Sequence, residues 1–430
     1  MSKIMRSATL GAGLMAAALA ISGCAAGTPA GSTSQGGGDP DTLTIAVQAW
    51  MNDKLALKDM AAAYEEAHEG VTIDLVEYAD NQALSTFALQ WSQGKSDQDI
   101  VIVDGASTAV QFVQQGLIVD FTETDIFSGD LAQDNFVGES LSFTQLDGNQ
   151  FAIPLGLEVY NISANKDILT QAGVIGADGA LPVFEDWSDV YDAAAAITEA
   201  TGQPGMTIQW GPNAIPTMIS VKQALDGDLF ASDGKTLTFD TASMRDTLEI
   251  WKKGVDEGVF SIDTFANKDA GRSNFNAGSL GMLLETASRV PEAGQALGME
   301  KVAVLAMPGS LDNGSFGFSA GVIVPTASSK QELALDFIRT AIMSDLQVKA
   351  GEEWGKLPVL TEYFDQIDAE WKDDMYTFVE KSVPAPMYND LPMIQERGKQ
   401  LLQEYLTGKT DLDGFVSNIE SMIGSADLGN

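Results

Sequence analysis

The sequence offers few groups that could perform covalent chemistry. It contains one cysteine, Cys24, and one histidine, His68. A zinc site built from Cys and His ligands usually needs three or four of them, so the composition argues against such a site. One cysteine also excludes a disulfide within the chain. Any catalytic triad would have to use His68, which the sequence places near the end of a helix, before Gly70. We predict no catalytic residue, no metal site and no cofactor.

One short segment matches a catalytic pattern. Residues 317–321 read GFSAG and fit G-x-S-x-G, the strand–turn–helix elbow that presents the nucleophile of α/β-hydrolases. Here a strand-like sequence follows the motif, and His68 precedes Ser319, whereas a hydrolase of this class has its histidine after the serine. We interpret these small residues as positions where the backbone approaches a ligand or a neighbouring strand.

Carboxylates are abundant enough to keep one class of enzyme open. Two carboxyl groups held about 5–10 Å apart can cleave glycosidic bonds. With 61 acidic residues, the sequence alone does not tell which of them are paired. An extracytoplasmic carbohydrate-active enzyme therefore stays an alternative. No phosphate-binding loop occurs, so nucleotide chemistry has no support.

Tryptophan and acidic side chains near the ends of predicted strands indicate a carbohydrate site. Sugars are held by flat aromatic faces together with a few polar side chains that fix their orientation. Trp50, Trp210 and Trp354 fall in predicted loops near element ends and are the stacking candidates. Asp53 and Asp104 follow predicted strands. Ligands of open α/β sheets bind at the carboxyl ends of the strands, where these side chains are expected.

The overall charge excludes one class of partner. The chain has 61 acidic and 24 basic residues, and its formal net charge is −37. A nucleic-acid-binding protein needs a basic surface that replaces phosphate counterions, so we predict no nucleic-acid partner. The same charge would suit a cationic solute such as a polyamine, which we keep as a second alternative.

The N-terminus predicts secretion and lipid attachment. An apolar run over 8–21 follows a short basic start and is too short to span a bilayer. It leads through small residues to Cys24 and resembles a bacterial lipoprotein signal, so we predict removal of residues 1–23 and lipidation of Cys24. Residues 24–40 are rich in Gly, Ser and Thr and predict a flexible tether. The expected location is the extracellular side of the bacterial cytoplasmic membrane, with the protein lipid-anchored to it.

The remaining chain alternates predicted strands and helices, which indicates an α/β architecture. Its length allows two or three domains. The pattern restarts after about residue 150, so we predict two lobes with a cleft between them. The clearest predicted elements are strands over 42–49, 71–78 and 99–103 and helices over 54–67 and 186–200.

Six segments, in order, resemble the extracellular solute-binding lipoproteins of ABC importers, in the carbohydrate-binding group that includes maltose-binding protein. The match begins with WMNDK at 50–54 and continues through segments with family-like spacing of Pro, Gly, Asn-Lys-Asp and apolar residues. These further segments are 99–123, 151–173, 182–198, 275–287 and 318–342. Gln98 and Ala164 stand where the family usually has Pro and Tyr.

The resemblance implies a set of ligand contacts. In these contacts, carboxylates of the protein would accept hydrogen bonds from adjacent sugar hydroxyls, and tryptophan rings would stack on sugar rings. The implied residues are Trp50, Asp53, Asp104, Glu158, Trp210, Glu285 and Trp354.

The resemblance also implies architecture and partners. It predicts a two-lobed fold like that of periplasmic binding proteins, each lobe a central sheet flanked by helices, joined by a multi-segment hinge. We expect an N-terminal lobe from 41–155 and 276–314 and a C-terminal lobe from 156–275 and 315–430. The implied function is capture of a mono- or oligosaccharide by a monomer that delivers it, unaltered, to the transmembrane subunits of an ABC permease.

Overall fold

The computed structural model describes residues 42–80, 82–211, 213–384, 386–387 and 391–426. These residues belong to one unit, Gly37–Asn430. The predicted signal segment, Cys24 and the predicted tether lie outside the described residues. None of the described helices has the length and apolar character needed to cross a membrane.

The strands alternate with helices along the described chain. The strands are β1 (Thr42–Gln48), β2 (Thr72–Tyr78), β3 (Ile100–Val103), β4 (Gln145–Leu146), β5 (Asn149–Gln150), β6 (Ile153–Asn165), β7 (Met206–Ile208), β8 (Phe260–Ser261), β9 (Met282–Thr286), β10 (Val302–Leu305) and β11 (Gly317–Ile323).

The helices cover both halves of the sheet. They are α1 (Ala49–Lys54), α2 (Leu57–Ala67), α3 (Gln82–Trp91), α4 (Val110–Gln114), α5 (Lys166–Gln171), α6 (Trp187–Thr201), α7 (Ala214–Asp226), α8 (Ala242–Asp256), α9 (Ala270–Asn276), α10 (Arg289–Leu297), α11 (Ser310–Asn313), α12 (Gln331–Phe337), α13 (Leu346–Trp354), α14 (Thr361–Asp365), α15 (Lys372–Glu380), α16 (Leu391–Leu406) and α17 (Leu412–Gly424).

Local sequence explains where several elements begin and end. The side chain of Asp186 accepts hydrogen bonds from the first backbone N–H groups of α6, and Gly202 ends that helix in a left-handed conformation. The helix predicted over 54–67 begins later than expected, as α2 at Leu57, because Ala56 adopts a left-handed conformation with φ of 55° that separates it from α1. All four residues of β3 are buried, as expected for a strand covered on both faces.

A long central strand, β6, connects two groups of strands. The sheet order is β2-β1-β3-β11-β6-β9-β7-β8, and β10 also pairs with β6. The first part of β6, up to Val159, pairs with β11. The part from Tyr160 onward pairs with β9, and β10 pairs with its end. The fold is therefore a mixed α/β sheet flanked by helices and divided at the middle of β6.

Two large hydrophobic cores lie on the two sides of this division. The first is built from β1, α2, β3, the first part of β6, β11 and the helices between residues 334 and 379. The second is built from the second part of β6, α6, α7, α8, β9, α16 and α17. Helix α10 follows β9 but sends Val290 and Ala293 into the first core.

The strand pairing differs from the predicted lobe boundaries. Strand β9 was expected in the N-terminal lobe, yet it pairs with the second part of β6. Strand β11 was expected in the C-terminal lobe, yet it pairs with β3 through Gly321 and Val103. Strand pairing therefore places β9 and β11 on the sides opposite to the expected ones, whereas residues 287–302 pack mainly into the first core, as expected for an N-terminal lobe that includes 276–314. The sequence places each strand but does not reveal its partner, because strand pairing is non-local.

Candidate functional site

A groove of about 520 Å³ lies beside the middle of β6 and β11. One wall comes from α3 and from the segment after β3, and the other comes from the starts of α7 and α16. Because these walls belong to the two sides of the sheet division, the groove lies between the two halves of the described unit. Its polar lining residues include Gln82, Ser85, Asp104, Ser107, Gln111, Asn213, Ser319 and Gln395.

An aromatic cluster forms the floor of the groove. Tyr160 on β6 lies 6.1 Å from Phe316 and 6.3 Å from Phe318, measured between ring centroids. Phe316 and Phe318 are stacked at 5.4 Å, and Phe143 completes the lining. Gly317 is required between the two phenylalanines, because a Cβ there would lie 2.6 Å from the Phe143 ring.

Asp104 is the acidic side chain among the described lining residues of the groove. It follows β3 directly, as predicted, and its side chain is open to the solvent of the groove. Within the described residues, no hydrogen bond or ion pair holds its carboxylate. The surrounding protein raises the pKa of Asp104 by desolvation, Lys356 opposes this rise and Glu158 adds to it.

Glu158 is buried next to the groove and is neutralised by a lysine. Its carboxylate pairs with the Lys356 ammonium, and both side chains are less than one-tenth exposed (8% and 7%). Burial alone would raise the pKa of Glu158, but Lys356 holds it below its usual value. Gly156, with φ of 68°, gives Lys356 room, because a Cβ there would lie 3.2 Å from the lysine Cβ. Glu158 therefore supports the floor and does not line the groove.

Trp50 and Trp354 belong to a reciprocal arrangement of two helix ends. The Lys356 ammonium lies 4.9 Å from the centroid of the Trp50 ring. The Lys54 ammonium lies 4.9 Å from the centroid of the Trp354 ring. We call these four residues the Trp–Lys clasp. A lysine thus occupies one face of both Trp50 and Trp354, two of the three tryptophans predicted to stack on sugar.

Three other predicted ligand residues lie away from the groove. Trp210 is fully buried in the second core, where its ring stacks 5.8 Å from Phe265. Burial leaves its ring no surface for a sugar, so the stacking role predicted for Trp210 is wrong in this structure. Asp53 is exposed and pairs with Lys58 at 2.7 Å. Glu285 is buried and bonded to Arg272, so it is an internal charge pair.

The G-x-S-x-G segment is part of a strand. Ser319 lies within β11 and lines the groove, without the turn and helix of a nucleophile elbow. His68 contacts Tyr64 and Asp336 at the end of α2. Among the described residues, no group of three or more His, Cys, Asp or Glu side chains is placed to hold a metal ion.

The aromatic floor was not predicted from the sequence, because the predicted stacking residues are all tryptophans. A usable signal was present, since Phe318 lies on β11 and Phe316 stands two positions earlier, just before the strand, where an extended backbone points both side chains to the same face. Tyr160 lies two positions after Glu158 on β6, so strand alternation points both side chains to the same face.

A match to a protein-family model over most of the chain identifies the family of this protein. A family model described as bacterial extracellular solute-binding protein matches residues 59–378. The chain therefore belongs to this family of extracellular solute-binding proteins. A protein of Brucella abortus described as a binding protein is 23% identical over 313 residues, which cover 70% of this chain and 72% of that protein.

Solved structures share the fold. The GacH receptor of Streptomyces glaucescens, studied unliganded and with acarbose, has a TM-score of 0.73 and 19% identity and covers 89% of this chain and 97% of its own. The maltose-bound MalE3 of T. maritima has a TM-score of 0.74 and 16% identity. The match covers 89% of this chain and 99% of that chain. The chain thus has the two-lobed α/β fold of maltose-binding proteins.

Proposed function

We propose that this protein captures a mono- or oligosaccharide in the groove and delivers it to an ABC permease without changing it. The observation that carries the proposal is the composition of the groove. Its floor is aromatic, and the described residues of its walls present amides, hydroxyls and one carboxylate. Apolar sugar faces pack on aromatic rings, while hydroxyl groups hydrogen-bond to such polar side chains. The acarbose and maltose complexes of the similar structures support the same ligand class.

The two hydrophobic cores support a division into lobes that differs from the expected one. We assign residues 42–159 and 317–383 to the first lobe. We assign residues 160–286, 302–316 and 391–426 to the second lobe, with α10 packed on the first. A ligand that contacts both walls favours the closed form by its greater affinity for that form. The permease would recognise this closed form.

The location and the absence of catalysis are further parts of the proposal. Cys24 would carry the lipid, and the tether over 24–40 would keep the monomer near its permease. A non-catalytic role is supported by the carboxylates, because Asp104 lines the groove while nearby Glu158 is occupied by Lys356. A glycosidase needs two carboxyl groups free to act on one bond.

A thermal-shift screen of the mature protein against mono- and oligosaccharides tests this function. A ligand that binds only the folded state raises the melting temperature. We expect at least one carbohydrate to do so and to be recovered intact. A hydrolysed or transferred sugar would favour the carbohydrate-active enzyme, and stabilisation by a polyamine alone would favour a receptor for cationic solutes.

A further inference from the structure

Asp104 differs from the buried carboxylates of the described chain. Asp99, Glu158 and Glu285 are buried, and each has a cation within ion-pair distance. The partners are Lys330 at 3.7 Å for Asp99, Lys356 for Glu158 and Arg272 for Glu285. Such pairing is the rule because an unpaired charge enclosed by protein is costly. Asp104 differs from these three because it is exposed to the solvent of the groove and has no such partner in the described residues.

The groove offers Asp104 no cation of its own. Neither lysine nor arginine occurs among the described lining residues. Lys356 is the cation that acts on Asp104 most strongly, but it is buried and bonded to Glu158. Because Lys356 is paired with the carboxylate of Glu158, its electrostatic attraction for Asp104 is weakened.

The rest of the groove also favours a positive charge. The aromatic floor of Tyr160, Phe316 and Phe318 carries no formal charge, so it supplies no cation that would compensate Asp104. The formal net charge of the chain is −37, which raises the local concentration of cations near a cleft. A neutral sugar would donate hydrogen bonds to Asp104 but would leave its charge uncompensated.

We infer that the preferred ligand is a carbohydrate bearing a basic nitrogen, whose ammonium group pairs with Asp104. This inference rests on the proposed function, because the amides and hydroxyls of the walls are taken to bind the hydroxyl groups of the same ligand. It identifies the ligand class as amino sugars or related amino-substituted oligosaccharides. The desolvation that raises the pKa of Asp104 agrees with a carboxylate that gains its partner only on binding.

Matched sugars that differ at one substituent test the inference by isothermal titration calorimetry. Each set contains three sugars that carry a hydroxyl, an N-acetyl and a free amino group, respectively, at the same carbon. The monosaccharide set is glucose, N-acetylglucosamine and glucosamine. The disaccharide set is cellobiose, diacetylchitobiose and the chitosan dimer, with equivalent galactose sugars. We expect the amine of at least one set to bind roughly tenfold more tightly than both neutral members, because hydrogen bonds to charged groups are the stronger ones.

Two variants locate the preference. Asp104→Asn keeps the size of the side chain and should remove the preference for the amine, while binding of the neutral sugars changes less. Asp74→Asn is the control, because Asp74 is exposed on β2 and does not line the groove. It removes the same formal charge and should keep the preference.

The outcomes separate this inference from the proposed function. If neutral sugars bind as tightly as amines, or if Asp104→Asn retains the preference, the inference is overturned and the carbohydrate receptor stands. If no sugar of these sets binds but another carbohydrate of the thermal-shift screen does, the inference is overturned and the carbohydrate receptor stands, whereas failure of every carbohydrate to bind overturns both. Spermidine is titrated in parallel, and its binding without binding of any sugar would likewise overturn both.

Discussion

Asp104 and Glu158 are two carboxylates that one lysine influences in different ways. Lys356 lies close enough to both to favour their ionised forms. It bonds directly to Glu158, so that group is ionised in spite of its burial. Asp104 receives only the weaker part of this attraction, and desolvation raises its pKa. One carboxylate therefore stabilises the fold, whereas the other is left available to a ligand.

The free carboxylate should reduce stability when no ligand is bound. The pKa of Asp104 is raised in the folded state, so its ionised form opposes folding above the unfolded pKa of about 3.9. The effect disappears as the pH falls below that value. Asp104→Asn should increase the free energy of unfolding at pH 7, by less than about 1 kcal/mol because solvent screens the group. Urea unfolding at pH 7 and pH 3 measures this, and a less stable variant at pH 7 would contradict it.

For the buried Glu158–Lys356 pair we predict the opposite effect, because removing the carboxylate should lower the free energy of unfolding. Glu158→Gln leaves Lys356 buried without a counter-charge, which should cost about 3–5 kcal/mol at pH 7. The pKa of Glu158 is lowered, so its contribution is present above the unfolded pKa of about 4.3 and is lost as the pH falls through the folded value. The difference from wild type should therefore shrink in acid.

A double variant provides the control for this experiment. Glu158→Gln combined with Lys356→Met removes both charges and should recover much of the lost free energy of unfolding. Urea denaturation of wild type, single and double variants gives the comparison. A single variant within about 0.5 kcal/mol of wild type would show that the pair contributes little.

At the scale of elements, the Trp–Lys clasp joins the end of α13 to α1. Trp50 and Lys54 lie on α1, while Trp354 ends α13 and Lys356 follows the turn at Gly355. The turn needs glycine, because φ is 63° and a Cβ would lie 2.6 Å from the Cα of Ser288. The clasp therefore holds Lys356 over Trp50 and against Glu158.

A double-mutant cycle tests the outer half of the clasp. Lys54→Met and Trp354→Leu each remove one partner of the cation–π contact at 4.9 Å. We expect the two changes to be non-additive, with a coupling free energy of about 0.5–1 kcal/mol, as is typical of partly exposed pairs. Additive effects in urea unfolding would mean that the two side chains do not interact. The same cycle with Lys58→Met in place of Lys54→Met serves as a control.

The elements also show what the sequence could reveal. Local patterns predicted β1, β2, β3 and α6 within a residue or two, and the position of Asp104 at the end of β3 followed from them. Strand partners did not follow, because the pairing of β11 with β3 joins segments more than 200 residues apart. The burial of Trp210 and the lysines over Trp50 and Trp354 are likewise products of tertiary packing.

At the scale of the whole molecule, the division at the middle of β6 is what permits movement. The chain passes between the two cores near residues 159–160 and 316–317, on either side of α10 near residues 286 and 302, and after residue 383. Several parallel connections can absorb a change of angle while each core keeps its packing. Closure around a ligand would bring the α3 wall towards α7 and α16.

Small-angle X-ray scattering measures this closure. We expect a saturating carbohydrate ligand to reduce the radius of gyration, since a ligand contacting both walls shifts the population towards the closed form. Asp74→Asn should close like wild type, because its side chain does not line the groove. An unchanged radius at saturation would show that the lobes do not move on binding.

Native mass spectrometry of the mature protein with a carbohydrate panel tests the central claim most directly, because it reports both binding and the integrity of the ligand. We predict a one-to-one complex whose added mass equals that of the intact sugar. Phe318→Ala, which removes part of the aromatic floor, should lose most of that complex. Failure of every carbohydrate to form a complex, or an added mass equal to a fragment of the sugar, would contradict the account.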